Sequence, residues 1–138
     1  GVSIELDRFV WRAEVLRRIP VAVRFISAEP LLGPLPRLDL TGIAWLIVGG
    51  ESGAGYRPMD HAWARDLRDR AGASGTAFFF KQSAAPRTEM GMELDGERIE
   101  QFPDEGVFAS HWIGPGRHAQ GAAYRPMAEA GAPQAALF

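Results

Sequence analysis

The sequence predicts an α/β protein with a parallel sheet of about four strands, a C-terminal hairpin and a flexible tail. Three observations lead there. Short apolar runs at 2–4, 21–27, 43–48 and 77–80 have strand length and strand composition. Segments with helical spacing lie between several of them, and that alternation favours parallel strands joined by right-handed crossovers. Each run also stops at a charged or polar residue: Glu5, Glu29, Glu51, and Lys81 with Gln82.

Taken in order, Val2-Ser3-Ile4 reads as the end of a strand. From Asp7, a residue suited to cap a helix, Phe9, Ala13 and Leu16 recur at helical spacing, and Pro20 stops the helix. VAVRFIS at 21–27 is the next strand, followed by Ala28-Glu29-Pro30. LLGPLPRLDLTG at 31–42 holds too many turn formers for a helix and reads as a looped crossover. The run 43–48, IAWLIV, is so uniformly apolar that it predicts a strand covered on both faces. Asp60 is placed to cap a helix over about 61–71, with Trp63, Leu67 and Ala71 inward and Gly72 and Gly75 closing it. Ala77-Phe78-Phe79-Phe80 is the fourth strand.

Beyond Ser83 the texture changes. Asp95-Gly96 between Met92-Glu93-Leu94 and Glu97-Arg98-Ile99 is a two-residue hairpin signal. The chain divides into a structured domain over 1–105 and an irregular, mobile tail over 106–138 rich in Gly, Ala and Pro, with Leu137 and Phe138 able to dock.

Composition excludes several classes of function. The 138 residues are 46% hydrophobic and contain no cysteine, so this chain has no disulfide, thiolate nucleophile or cysteine-held cluster. The formal charge of -2 gives no overall field for nucleic acid, although Arg65, Arg68 and Arg70 could form a local basic patch. No run is long enough for a membrane span, and the start lacks the pattern of a signal peptide, so the chain reads as cytoplasmic. His61 is expected to be exposed, and His111 and His118 are too isolated to complete a metal triad, so no metal site is expected.

The stretch GGESGAGYR resembles a phosphate loop only superficially. A Walker loop requires Lys then Ser or Thr after its last glycine, where this chain has Tyr56 and Arg57. Glu51 would oppose a pyrophosphate, and Pro58 and Asp60 delay the helix. A nucleophile elbow around Ser52 fails because Ala54 stands where its last glycine belongs. Trp11, Trp45 and Trp63 read as core residues rather than a ligand cage. In parallel α/β proteins ligands bind at the carboxyl ends of the strands. Glu29, Glu51, Ser52, Arg57, Lys81 and Gln82 are therefore the candidate pocket residues, with Arg57 either meeting an anion or pairing with Glu51.

The strings GVSIE, Arg12 to Pro20, VRFISAEPLLGP, WLIVGGESG, RPM at 57–59 and FFFKQ together resemble the C-terminal half of a bacterial and phage family of unknown function. That family has a three-cysteine motif near its N-terminus and is similar to radical S-adenosylmethionine barrels. The resemblance, over about 1–105, implies a partial triosephosphate-isomerase-type (TIM) barrel. An iron–sulfur cluster and S-adenosylmethionine would then require a missing N-terminal half.

On this reading the chain is a fragment that lends strand-end residues to a ligand site and is inactive alone. The cut sheet has two edges needing cover, supplied by self-association, by the hairpin, or by a separate chain bearing the N-terminal half. The alternatives are a small standalone enzyme using Glu29 or Glu51 as base with Lys81 stabilising an anion, or a nucleotide or nucleic-acid binding module.

Overall fold

A computed structural model describes residues 1–103; the tail expected over 106–138 lies outside the described residues. The elements are β1 (Val2–Ser3), a 3₁₀ turn (Asp7–Phe9), α1 (Trp11–Arg17), β2 (Phe25–Ala28), β3 (Trp45–Gly49), α2 (His61–Ser74) and β4 (Ala77–Gln82). The sheet order is β1-β2-β3-β4 and every pair is parallel. Strands adjacent in sequence are thus adjacent in space. In register, Phe25, Trp45 and Ala77 form one row, Ser27, Ile47 and Phe79 a row nearer the carboxyl ends.

The two faces of the sheet differ. Ile26, Ala28, Leu46, Val48, Phe78 and Phe80 point to one side and are fully buried. They share a single core with Ala13 and Leu16 of α1, Ala64, Leu67 and Ala71 of α2, and Leu31, Leu35, Leu38 and Leu40 of the β2–β3 crossover. Each large side chain there contributes roughly 1.5–3 kcal/mol through its burial. Both helices and the looped crossover therefore cover the same face.

The expectation that 43–48 is covered on both faces is corrected. Leu46 and Val48 are buried, but Trp45 and Ile47, on the alternate side, are only half-buried. This second face carries no helix among the described residues. It holds an aromatic group: Trp45 meets Phe25 at 6.1 Å, Phe79 at 6.1 Å and Phe102 at 5.3 Å between ring centroids. The Trp45 indole N–H donates to the Gln101 carbonyl at 2.9 Å, giving its polar end a partner.

Other local expectations also shift. Asp7 does not cap the first helix; its carboxylate instead accepts from the Arg37 side chain at 2.5 Å and the Arg37 backbone N–H at 3.1 Å. A 3₁₀ turn replaces the first helical turn, and Trp11, expected in the core, is 57% exposed. Strand β2 starts only at Phe25, and β4 continues to Gln82. Helix α2 runs through Gly72 to Ser74. Asp60 caps it by accepting from the Ala62 N–H, and Gly75 ends it in the left-handed conformation at φ 70°.

Cover for the β4 edge comes from within the chain. The Phe80 N–H donates to Ile99 O at 2.9 Å and the Gln101 N–H to Phe78 O at 3.0 Å, an antiparallel pairing. The preceding Asp95-Gly96 turn has both residues at positive φ, 58° and 77°, and joins Leu94 to Glu97 as a hairpin. On β1, Arg12 donates to the Ser3 carbonyl at 2.8 Å, a charged cover of the kind that protects strand edges.

Candidate functional site

The carboxyl ends of β2, β3 and β4 meet at one rim. Glu29 follows β2 directly, on the face without helices, and its peptide bond to Pro30 is cis. Its side chain crosses over Gly49 at the end of β3, where an added Cβ would stand only 3.2 Å from the Glu29 carboxyl carbon. Beyond Gly49, Glu29 Oε1 accepts from Lys81 Nζ at 2.8 Å. The glycine is what allows a carboxylate and an ammonium on non-adjacent strands to touch. Side-chain exposure is 22% for Glu29 and 48% for Lys81, so the pair is open to solvent on the lysine side.

Glu51 makes a closed unit of its own. Its Oε2 accepts from the Arg57 backbone N–H at 2.8 Å and from Arg57 Nε at 2.9 Å, while Oε1 accepts from Nη2 at 2.5 Å. The Arg57 side-chain hydrogen bonds, followed by its backbone N–H, lower the Glu51 pKa from 4.5 to about 2. A carboxylate that acidic is a weak base, and both oxygens are already engaged. Of the two roles foreseen for Arg57, pairing with Glu51 is the one present here.

Gln82 and Ser52 act through structure. Gln82 is 1% exposed; its Nε2 donates to Gly50 O at 3.2 Å and its Oε1 accepts from the Glu89 N–H at 2.9 Å. It ties the 83–91 loop to the end of β3. Ser52 pairs through its backbone with Ala85, extending the parallel ladder past β4. At the first strand end, Glu5 accepts from Arg12 at 3.3 Å. The six candidates thus divide into the Glu29–Lys81 pair, the Glu51–Arg57 pair, and two positions that hold the loops.

Sequence reasoning missed two features of the rim. Gly49 and Gly50, weighed in the sequence only as part of a phosphate loop, both sit at close approaches, Gly49 under Glu29 and Gly50 against the Ser83–Ala84 backbone. His61, expected to be exposed, is half-buried. Its Nε2 lies 2.8 Å from Ser83 Oγ, its ring stands nearly perpendicular to that of Phe80 at 5.9 Å between centroids, and Ser83 Oγ in turn donates to Gly91 O at 3.0 Å. A histidine at the first position of a helix and a serine just past a strand gave no spacing signal for this contact.

The basic patch on α2 is neutralised locally. Asp95 accepts from Arg65 and Arg68, Asp69 from Arg68, and Asp66 from Arg70. Among the described residues no group of three or more His, Cys, Asp or Glu could hold a metal ion, and no helix is long and apolar enough to cross a membrane. A cleft of about 540 Å³ lies at the opposite end of the sheet from the rim, lined by Ala44, Gly72, Gly75, Thr76 and Ala77 with Gln101 to Pro103. Another, of about 430 Å³, lies between Leu6 to Arg8 and the Gly33–Pro36 segment.

Comparison with known proteins identifies a family without adding a function. No curated protein and no solved structure matches the chain. A family model described as a protein of unknown function (DUF5131) matches residues 1–103, the same stretch that carries the sheet, the rim and the covering segment. The chain belongs to the DUF5131 family.

Proposed function

We propose that this chain is a segment of a singly wound α/β barrel and that the Glu29–Lys81 pair forms part of the ligand site at its rim. Sequential parallel order with both helices on one face is how such barrels are wound. In a closed barrel the helix-free face, with Ile47 and Phe79 below the rim, is the interior. The observation that carries the reading is Glu29 reaching across Gly49 to Lys81 at the carboxyl ends of the strands. Lys81 offers an ammonium to an anionic group and Glu29 an acceptor to a cationic one, over an apolar floor. The remaining strands, and any cysteines for an iron–sulfur cluster, come from another segment, because this chain contains no cysteine. S-adenosylmethionine, which carries both charges at its amino-acid end, is the first ligand to try.

The test is thermal unfolding of the chain with and without S-adenosylmethionine and, in parallel, nucleotides. A site occupied at about 100 times Kd adds about 2.7 kcal/mol, a clear upward shift of the midpoint. Lys81→Met and Glu29→Gln are expected to abolish that shift. A shift that survives both substitutions removes the rim from the binding site.

A further inference from the structure

The face of the sheet turned away from α1 and α2 is apolar, and the described residues cover it only in part. Phe25, Trp45, Ile47 and Phe79 line it and are each half-buried, and Phe102 above them is 38% exposed. A contiguous apolar surface of this kind marks a contact. The chain itself leads onto it. After pairing antiparallel with the β4 edge through Ile99 and Gln101, it lays the Phe102 ring over the face, 5.3 Å from Trp45 and 5.6 Å from Phe79 between centroids. The Gln101 carbonyl accepts from the Trp45 indole N–H at 2.9 Å, and Pro103 is buried. The last described residues are thus fixed over β3 and β4, and residues 104–138 start from there.

We infer that residues 107–113, VFASHWI, dock on the amino-end half of this face, so that the chain's own continuation covers it. Composition selects that stretch. Two apolar pairs, Val107-Phe108 and Trp112-Ile113, flank Ala109-Ser110-His111, whereas Asp104-Glu105-Gly106 precede them and Gly, Ala and Pro prevail afterwards. Reach allows it. Crossing from β4 to β2 takes about 10 Å at about 4.8 Å between strands, and the five residues from Asp104 to Phe108 span up to about 17 Å. Phe108 can therefore stand over Phe25 of β2. The cost of closing a loop rises with its length, which favours this stretch over Leu137 and Phe138 at the far end of the chain. A short tether also holds the segment at an effective concentration in the millimolar range, ahead of a second copy or any other free partner. Its two aromatic rings suit a surface already built from tilted and edge-on ring contacts. The row of Phe25, Trp45 and Ala77 lies at the opposite end of the strands from the Glu29–Lys81 pair, which the cover leaves open. In a barrel the same cover fills the amino end of the interior with side chains, as such folds require.

The inference is independent of the rim reading, and Glu29→Gln and Lys81→Met are expected to leave the contact intact. Paramagnetic broadening in the NMR spectrum of the full 138-residue chain tests it. The chain has no cysteine, so Ser110→Cys carries a nitroxide at one site, between the two apolar pairs rather than within them. The Ile47 methyl and the Phe25 and Phe79 ring signals are expected to lose most of their intensity. The Leu67 methyls and the Ala64 signal of α2, across the sheet, should keep theirs and so report that the fold is intact. Adding Phe108→Asp and Trp112→Asp removes the apolar pairs and is expected to restore the open-face signals. Mixing isotope-enriched chain without nitroxide and nitroxide-bearing chain without isotope isolates contacts between molecules, and no broadening is expected there. Open-face signals that keep their intensity, broadening equal on α2, or broadening that survives Phe108→Asp/Trp112→Asp would overturn the assignment. Broadening in the mixed sample would overturn it in favour of a second copy as the cover.

Discussion

Gly50→Ala probes how the rim is welded together. A Cβ at Gly50 would stand 2.1 Å from Ala84 N, 2.6 Å from Ala84 Cα and 2.6 Å from the Ser83 carbonyl carbon. Unstrained contacts between such atoms lie near 3.5–4.0 Å, so the two backbones must part by more than about 1 Å. The hydrogen bonds that join them cross the same gap: Gly50 N–H to Gln82 O at 2.9 Å, Ala85 N–H to Glu51 O at 3.0 Å, Gly53 N–H to Ala85 O at 3.1 Å, and Gln82 Nε2 to Gly50 O at 3.2 Å. Overpacking costs about 1–3 kcal/mol, and each lost bond about 0.5–1.5 kcal/mol. With two of the four bonds lost, the expected destabilisation is about 2–6 kcal/mol. Gly72→Ala is the matched control, because a Cβ there meets nothing within 4 Å inside α2 and should stabilise by up to about 1 kcal/mol. Urea unfolding followed by tryptophan fluorescence, extrapolated linearly to water, measures both. A Gly50→Ala variant within about 1 kcal/mol of the parent would refute the close-approach argument, because nothing else at that position could absorb the clash.

Two further outcomes follow from the local chemistry. Glu51 has a folded-state pKa lowered from 4.5 to about 2, so its contribution to stability is complete above about pH 4.5 and is lost as pH falls toward about 2. The urea midpoint should fall across that window, and Glu51→Gln should flatten only part of the fall, because Asp7, Asp39 and Asp95 are lowered by their own hydrogen bonds and act in the same direction. Asp60→Ala removes the acceptor for the Ala62 N–H at 2.8 Å and should cost about 1 kcal/mol in the same assay, while Asp60→Ser retains most of it.

Legibility in the sequence followed the range of the interaction. The strands at Phe25–Ala28, Trp45–Gly49 and Ala77–Gln82 were readable because apolar runs bounded by turn formers report local preference. The face each residue occupies was not readable for 43–48. Trp45 and Ile47 on the open face are as apolar as Leu46 and Val48 in the core, so the period-two signal was erased and two-sided burial was the natural expectation. Trp11 was misplaced for a related reason, since an apolar residue at helical spacing looks the same whether it faces the core or solvent. Of the contacts among the six candidates, the Glu51–Arg57 pair was one of two roles legible for Arg57, whereas the Glu29–Lys81 pair and the loop contacts of Gln82 and Ser52 gave no sequence signal.

The sequence by itself determined the absence of thiolate chemistry, the alternation that yields parallel strands, and the tight turn at Asp95-Gly96. Each of these is set by composition or by neighbours within a few residues. Tertiary structure alone decided that Glu29 meets Lys81 across Gly49, that Gln82 lies buried under the rim, and that among the described residues both helices lie on one face of the sheet. Those outcomes depend on the register between strands: Glu29 and Lys81 are 52 residues apart in the chain, and only the pairing of β2, β3 and β4 brings their side chains within 3 Å.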